Sequence, residues 1–439
     1  VTKFTRPFQF LVLVISVSLL VSADQPAKGK QGPKAGGSQA QSKALFPLVG
    51  ASEASVRLNT WFDQPAEFFF TWGPGGQPLD RSTETSRAFG QGTVETVLKD
   101  LEPGQTWGYQ LHWKHNGETD FREGPVGRFV TPRAPGEAFR FVIEADPHLD
   151  ENASPSGYLT ALHDMAALTP DFCVDLGDAS MVGKLAGTLA EARDRNLVVR
   201  SYWDELGGTA PFFMVLGNHD GEVGWADGKS PMTTAQARDI RRSLFPNPDP
   251  TRSRFYQGIS DTSYAFTWGD ALVVALDPFN PTTRRTAQGT AWTLGQAQLD
   301  WLASTLRTSR VAFKFVFIHH LVGGPSSEAR GGAQAASQGE WGAQIHPLLV
   351  ETKVNAVFHG HDHFYSREVK DGVVYQLVPQ PSALGRPDVA KTAAKYGYTG
   401  GDNLPSPGFL LVTVGPQQAT VELRISGSTA VTRSYSFRP

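Results

Sequence analysis

Five apolar runs in this chain stop at clusters of polar side chains, and that pattern limits its fold more than any other feature. Phe141-Val142-Ile143 leads to Asp146-Pro147-His148, and Val174-Asp175-Leu176 leads to Gly177-Asp178. Met214-Val215-Leu216 leads to Gly217-Asn218-His219-Asp220, Val316-Phe317-Ile318 to His319-His320, and Val357-Phe358 to His359-Gly360-His361-Asp362-His363. A short apolar run bounded by turn residues reads as a buried strand. Helical spacing separates the early runs: Tyr158, Leu162, Met165 and Ala166 recur in 155–168 behind a candidate cap at Ser154, and 188–203 is also helical. The order βαβαβ is that of a largely parallel sheet with crossover helices. The carboxyl ends of parallel strands share one edge, where α/β folds build their sites. Clusters more than 200 positions apart can therefore converge.

The residue types narrow the chemistry. Imidazole mixed with carboxylate suits Mn, Fe, Zn or Ni better than Ca, which prefers oxygen alone. Asp146, His148, Asp178, Asn218, His319, His361 and His363 exceed what one tetrahedral ion needs and are enough for two ions sharing a bridge. Asp178 is the natural bridge, because a carboxylate can divide its oxygens between two cations.

The rest of the chain sets the frame. With 439 residues it is long enough for two or three domains. A net charge of −3 carries no nucleic-acid footprint, and the single cysteine, Cys173, excludes an intramolecular disulfide framework. Lys3 and Arg6 precede an apolar run over 10–21 and a small-residue site at Val21-Ser22-Ala23, so 1–23 reads as a secretory signal peptide. The product would be secreted or periplasmic with no stable membrane span; the alternative is an anchor left uncleaved. Residues 24–44, rich in Gly, Gln, Ser, Ala and Lys, read as a disordered linker.

From 45 to 133 the pattern is all-β, with strands at 55–61, 67–72 and 93–98 and a break at Gly73-Pro74-Gly75-Gly76. His112 and His115 read as surface residues of a strand end there. Residues 221–261 read as a long polar insertion, and Trp225, Tyr256 and Trp341 are candidates for touching a leaving group, with packing the stronger reading of each.

The set Asp-x-His, Gly-Asp, Gly-Asn-His-Asp, a histidine after a strand and Gly-His-x-His resembles the calcineurin-like metallophosphoesterase superfamily, over roughly 139–414. Leu101-Glu102-Pro103-Gly104-Gln105-Thr106 and Tyr109 resemble the corner of a fibronectin type III domain, as in the N-terminal module of purple acid phosphatases. The resemblance implies a four-layer α/β/β/α sandwich over 137–439 behind that all-β sandwich. It implies two divalent or mixed-valence ions (Mn, Fe or Zn). One would be held by Asp146, His148 and His363, the other by Asn218, His319 and His361, with Asp178 between them. His219 would contact the phosphate and protonate the leaving group; Asp220 would orient His219 or cap a turn. His319 is preferred to His320 as the ligand; His320 would support the ligands or face the substrate, and His359 would be a packed or supporting group. Purple acid phosphatases carry a metal-bound tyrosine three residues after the bridging aspartate; Met181 stands there, so a purple centre is not expected.

The implied activity is hydrolysis of small phosphate monoesters by a metal-bound hydroxide. A phosphodiesterase is the close alternative, and an inactive surface-binding protein the more distant one. Oligomeric state, substrate and metal identity are not readable from the sequence.

Overall fold

A computed structural model describes residues 44–51, 54–222, 232–246, 248–279, 292–322, 331–385 and 388–439. The signal-peptide expectation, the linker expectation up to residue 43 and Trp225 lie outside these residues; Ala44, the last residue assigned to the linker, already starts a strand.

The N-terminal region is β-rich. Strands Ala44–Ala51, Ser55–Phe62 and Gly92–Lys99 form one sheet, and Ala66–Pro74, Arg81–Ser82, Ser86–Ala88, Thr106–His115 and Arg122–Val130 form a second. Inward residues of the two sheets, among them Leu58, Phe62, Phe68, Phe70, Tyr109 and Phe129, make a shared core. Ala66–Pro74 runs through the glycine-proline pair where the sequence predicted a break, and Pro74 still pairs with Trp107. His112 and His115 are buried rather than on the surface: the His112 ring stacks on Phe69 at 4.5 Å, and His115 Nδ1 lies 3.3 Å from the Pro65 carbonyl.

Two further sheets pack face to face. The first has six strands, with Phe212–Met214, Phe172–Asp175 and Phe139–Glu144 parallel, then Phe409–Gly415, Gln418–Arg424 and Val431–Phe437 antiparallel. The second has eight, and its middle strands Ala271–Ala275, Phe313–Phe317, Ala356–His359 and Val373–Leu377 are parallel. Alternate residues of both sheets, including Phe141, Phe172, Phe213, Phe266, Phe315 and Phe358, interlock in one aromatic core.

The opposite face of each sheet is covered by helices. Pro155–Ala167 and Leu189–Gly207 cover the first through Leu162, Met165 and Trp203. Gly295–Thr308 and His346–Glu351 cover the second through Leu302, Leu306 and Leu349. The result is the four-layer α/β/β/α arrangement. Ser154 caps its helix as expected, its Oγ accepting from Gly157 N at 3.1 Å.

The stretch read as a polar insertion contains a helix, Thr234–Leu244, started by a capping box of Thr233 and Gln236. Its inward face carries Arg241, buried against Glu222 and Asp261, which hides the apolar period. Tyr256 and Trp341 are core residues, with Trp341 Nε1 donating to the Tyr375 hydroxyl at 3.0 Å.

The β-rich region is fastened to the layers behind it. Arg200, wholly buried on Leu189–Gly207, donates to Asn59 Oδ1 at 2.7 Å, and burial drops its pKa to about 9. Arg133 reaches Asp171 at 3.1 Å.

Candidate metal centre

The parallel strands of the two facing sheets end together, and each motif occupies the turn just past its strand. These turns are tight. Asp146, His148, Asp178, His361 and His363 all have left-handed backbone, with φ of 55°, 42°, 60°, 78° and 65°. Such a conformation costs a non-glycine residue about 1 kcal/mol or more, and it survives where the surroundings dictate it. Here backbone bonds between the loops do so: Asp146 N donates to the Gly177 carbonyl at 3.0 Å, His148 N to Asp178 O at 3.1 Å, and Gly360 N to His319 O at 2.9 Å.

Two motif glycines are steric requirements. A Cβ on Gly217 would sit 2.2 Å from Asp178 Oδ1, and one on Gly360 would sit 2.5 Å from Asp146 Oδ2. The aspartates lie directly against the turns of their neighbours.

Each aspartate is held by one oxygen and presents the other. Asp178 Oδ1 accepts from His219 N at 2.6 Å, while Oδ2 faces His148 Nε2 at 3.4 Å and His319 Nε2 at 3.3 Å. Asp146 Oδ2 accepts from His361 N at 2.7 Å, while Oδ1 faces His363 Nε2 at 3.6 Å and His148 Nε2 at 3.8 Å. His319 donates its Nδ1–H to the Leu176 carbonyl at 2.7 Å, which turns Nε2 inward. That Nε2 lies 3.0 Å from Asn218 Oδ1 and 3.2 Å from His361 Nδ1.

Two groups result, Asp146 with His148 and His363, and Asp178 with His319 and His361, each with donor atoms within 4.8 Å of one another. Asn218 adjoins the second through His319.

These residues fit a pair of cations. Separations of 3.0 to 3.9 Å between donors are those of atoms sharing an ion about 2.0–2.2 Å from each. Asp146 Oδ1 and His148 Nε2 are buried with no hydrogen-bond partner among the described residues. Asn218 Oδ1 and His361 Nδ1 converge on His319 Nε2, the donor set a cation would take.

The electrostatics agree. Burial pushes Asp146 up to about 7 against the pull of His319 and His148. Burial also opposes the charge on Asp178, but His319 and His148 outweigh it and hold that carboxyl well below its usual range. Burial works to lower His319, yet Asp178 and Asp146 lift it to about 9.

The remaining residues sort by position. His219 is partly buried and its ring meets His148 edge-on at 5.5 Å; burial lowers its pKa. Asp220 has both oxygens on the loops: Oδ2 accepts from Gly217 N at 2.9 Å and Asp178 N at 3.0 Å, and Oδ1 from Ser180 Oγ at 3.1 Å. Of the two readings given for it, the geometry is that of the turn cap, clasping the Gly-Asp turn to the Gly-Asn-His-Asp turn. His320 packs against Trp292 at 4.5 Å and Phe279 at 5.3 Å. His359 is buried in its strand, and burial drops it to about 3.

Two cavities of about 300 Å³ open beside the centre. His148, His219 and His363 line both. One continues past Met181, Lys184 and Gln380, the other past Phe364, Val389 and Tyr396. Lys184 was not singled out from the sequence; its ammonium bonds Asp150 at 2.7 Å and Glu151 at 2.9 Å. An acid two residues after Asp-x-His was the available signal. Tyr396 and Asp362 were missed too, and Tyr396 had no signal at all.

Fold and site together define a metal-dependent hydrolase of phosphate esters. The profile of the calcineurin-like phosphoesterase family matches residues 139–365, and the chain belongs to that family. Its members depend on a dinuclear metal site. Among solved structures, purple acid phosphatase PPD1 from yellow lupin (Lupinus luteus) seeds is similar at a TM-score of 0.64 and 15% identity, covering 90% of this chain and 74% of its own. PhoD is similar at a TM-score of 0.65 and 16% identity, covering 92% of each. At these identities the likeness is one of fold. No curated protein sequence matches the chain.

Proposed function

We propose that the chain is an exported phosphoric ester hydrolase with a dinuclear centre. Asp146, His148 and His363 would hold one ion, and Asn218, His319 and His361 the other. Asp178 would serve both. The observation that carries this reading is the single Asp178 oxygen placed 3.3 and 3.4 Å from a histidine of each set. Two bound cations, of Mn, Fe or Zn type, supply charge neutralisation at the phosphoryl oxygens and acidify a water enough for it to attack phosphorus.

The protein's own groups do the rest. Left-handed turns and inter-loop hydrogen bonds hold the donors in place before substrate arrives. The His219 ring, a wall of both cavities, would hydrogen-bond a phosphoryl oxygen and pass a proton to the departing oxygen. A bound phosphate dianion would raise its pKa from the lowered resting value. Asp220 acts on the loops beneath it.

Small phosphate monoesters are the leading substrate class. The two cavities meeting at His148, His219 and His363 favour phosphodiesters as a second reading, since each could receive one ester group. Export rests on the signal-like pattern of 1–23; among the described residues no helix is long and apolar enough to cross a membrane. We assign 45–133 to a fibronectin type III-like domain and 137–439 to the phosphoesterase domain on the sequence motifs and the sheets each range contains.

The test is turnover of matched aryl phosphate mono- and diesters, after chelation and after adding back Mn, Fe or Zn, with Asn218→Ala as control. Metal-dependent turnover that Asn218→Ala abolishes supports the site, and the mono-to-diester ratio chooses between substrate classes. No turnover of either ester by the metal-loaded chain contradicts the reading.

A further inference from the structure

One cavity beside the centre differs in character from the other. It is bounded on the metal side by His219, His361 and His363, and across from them by Val389, Thr392 and Tyr396. The far wall is a seven-residue helix, Val389–Lys395, and the turn after it. Nothing in the metal site requires this wall, yet it is firmly built.

Val389 and Ala393 of the helix and Tyr398 beyond it pack on Phe364 and Leu377 as a separate small core. The Phe364 and Tyr398 rings meet edge-on at 5.1 Å. The Tyr398 hydroxyl donates to Asp362 Oδ2 at 2.7 Å, and Asp362 sits between His361 and His363. Gly400 N donates to Glu368 Oε1 at 2.9 Å and fixes the chain leaving the wall. The wall is thus tied to the same loop that carries two of the site's histidines, at a fixed distance from the place where phosphorus would sit.

Within this frame Tyr396 is half-buried and lines the cavity, while the rings that anchor the wall, Phe364 and Tyr398, are buried. The Tyr396 ring and Thr392, with Val389 and Phe364, give a cavity otherwise lined by carboxylates and imidazoles one flat, partly apolar face. At about 300 Å³ the cavity lies at the small end of ligand pockets. The other cavity, lined past the histidines by Asp150, Asn152, Met181, Lys184 and Gln380, has no phenyl or phenol ring in its wall among the described residues.

We propose that the Val389–Tyr396 wall is the leaving-group subsite of this centre, selecting phosphate esters of a flat aromatic group the size of one aryl ring or one nucleobase. Tyr396 and Thr392 determine the specificity, and Tyr398, through Asp362, positions the wall. The proposal rests on the phosphoesterase reading for its chemistry, but the subsite can be tested without turnover.

The experiment is calorimetric binding of phenylphosphonate and methylphosphonate to the metal-loaded full chain. The two share a charged head, differ in the ring and resist hydrolysis. The wild type binds phenylphosphonate at least tenfold more tightly. Tyr396→Ala loses most of that preference but binds methylphosphonate within twofold of wild type, which shows the metal site intact. Tyr396→Phe retains the preference. A wild type that does not prefer the phenyl compound, or a preference that survives in the Thr392→Ala, Tyr396→Ala double variant, overturns the proposal. A chain that turns over no ester but still prefers phenylphosphonate keeps the subsite and loses the phosphoesterase reading.

Discussion

The β-rich N-terminal region and the facing strand ends of the two larger sheets put their residues to opposite uses. The N-terminal sheets bury aromatic and aliphatic side chains between them, and among described residues 54–130 only Asp100 is a left-handed non-glycine residue. The strand ends bury Asp146, Asp178, Asn218 and His319 almost completely, and five of the seven candidate ligands are left-handed. Burying polar groups and bending the backbone both oppose folding. The large aromatic core between the sheets offsets that cost and holds the donors still. Both cavities at the centre are lined, among described residues, by His148 and later residues. One region is therefore organised for stability, and the other spends stability on chemistry.

Substitutions in the two regions should separate these roles. Asp178→Ala removes the oxygen that faces both histidine sets. It should lower kcat/KM on an aryl phosphate by about 10³-fold or more, the scale of losing several kcal/mol of transition-state charge stabilisation. Its circular dichroism spectrum should stay that of the wild type. Phe68→Ala should do the reverse. Phe68 is buried against Phe62, with ring centroids 5.1 Å apart, and its truncation should cost about 3–5 kcal/mol in denaturant unfolding. Turnover by the chains that remain folded should stay within about twofold of wild type. A Phe68→Ala protein that is stable but inactive would break the comparison.

Gly360→Ala probes the boundary between the two uses. The new Cβ must displace Asp146 Oδ2, 2.5 Å away. Activity should fall by about 10–100-fold, equivalent to roughly 1.4–2.7 kcal/mol, with weakened retention of metal on dialysis.

The smallest effect concerns pH. Burial raises the Asp277 carboxyl to about 6, although Thr262 Oγ1 and Phe279 N both donate to it. Because the folded pKa lies above the unfolded one, this group's contribution to stability is present below about pH 4 and lost as the pH rises through 6. Asp277→Asn keeps an acceptor for Phe279 N and removes the ionisation. It should gain about 1–2 kcal/mol relative to wild type at pH 8 and nothing at pH 4, measured by urea unfolding.

The legibility of the sequence divides along the same line. Strand-end motifs are readable because their apolar runs are long and their ligand atoms dense, so all seven metal-site candidates come together in the structure. Of the histidine pair, His319 is the one with its Nδ1 on Leu176 and its Nε2 toward Asn218. Asp220 was ambiguous because a carboxylate after a histidine looks the same whether it grips the ring or the turn; only the positions of Gly217 N and Ser180 decide it. Helix Thr234–Leu244 was hidden by a buried arginine on its inward face. His112 and His115 were misplaced because a polar residue in an edge region reads as exposed, while His112 in fact packs flat on Phe69. The Val389–Lys395 helix is too short and too poor in large apolar residues to leave a periodic mark, although it forms the wall opposite the centre.

In the proposed centre one carboxylate, Asp178, joins two metal sites. Elemental analysis of the purified chain, saturated with Mn, Fe or Zn and dialysed, tests it most directly. Two ions per chain are expected in the wild type, one in His148→Ala with the Asn218, His319 and His361 site still filled, and fewer than one in Asp178→Ala. A single ion in the wild type, or two retained by Asp178→Ala, would contradict it.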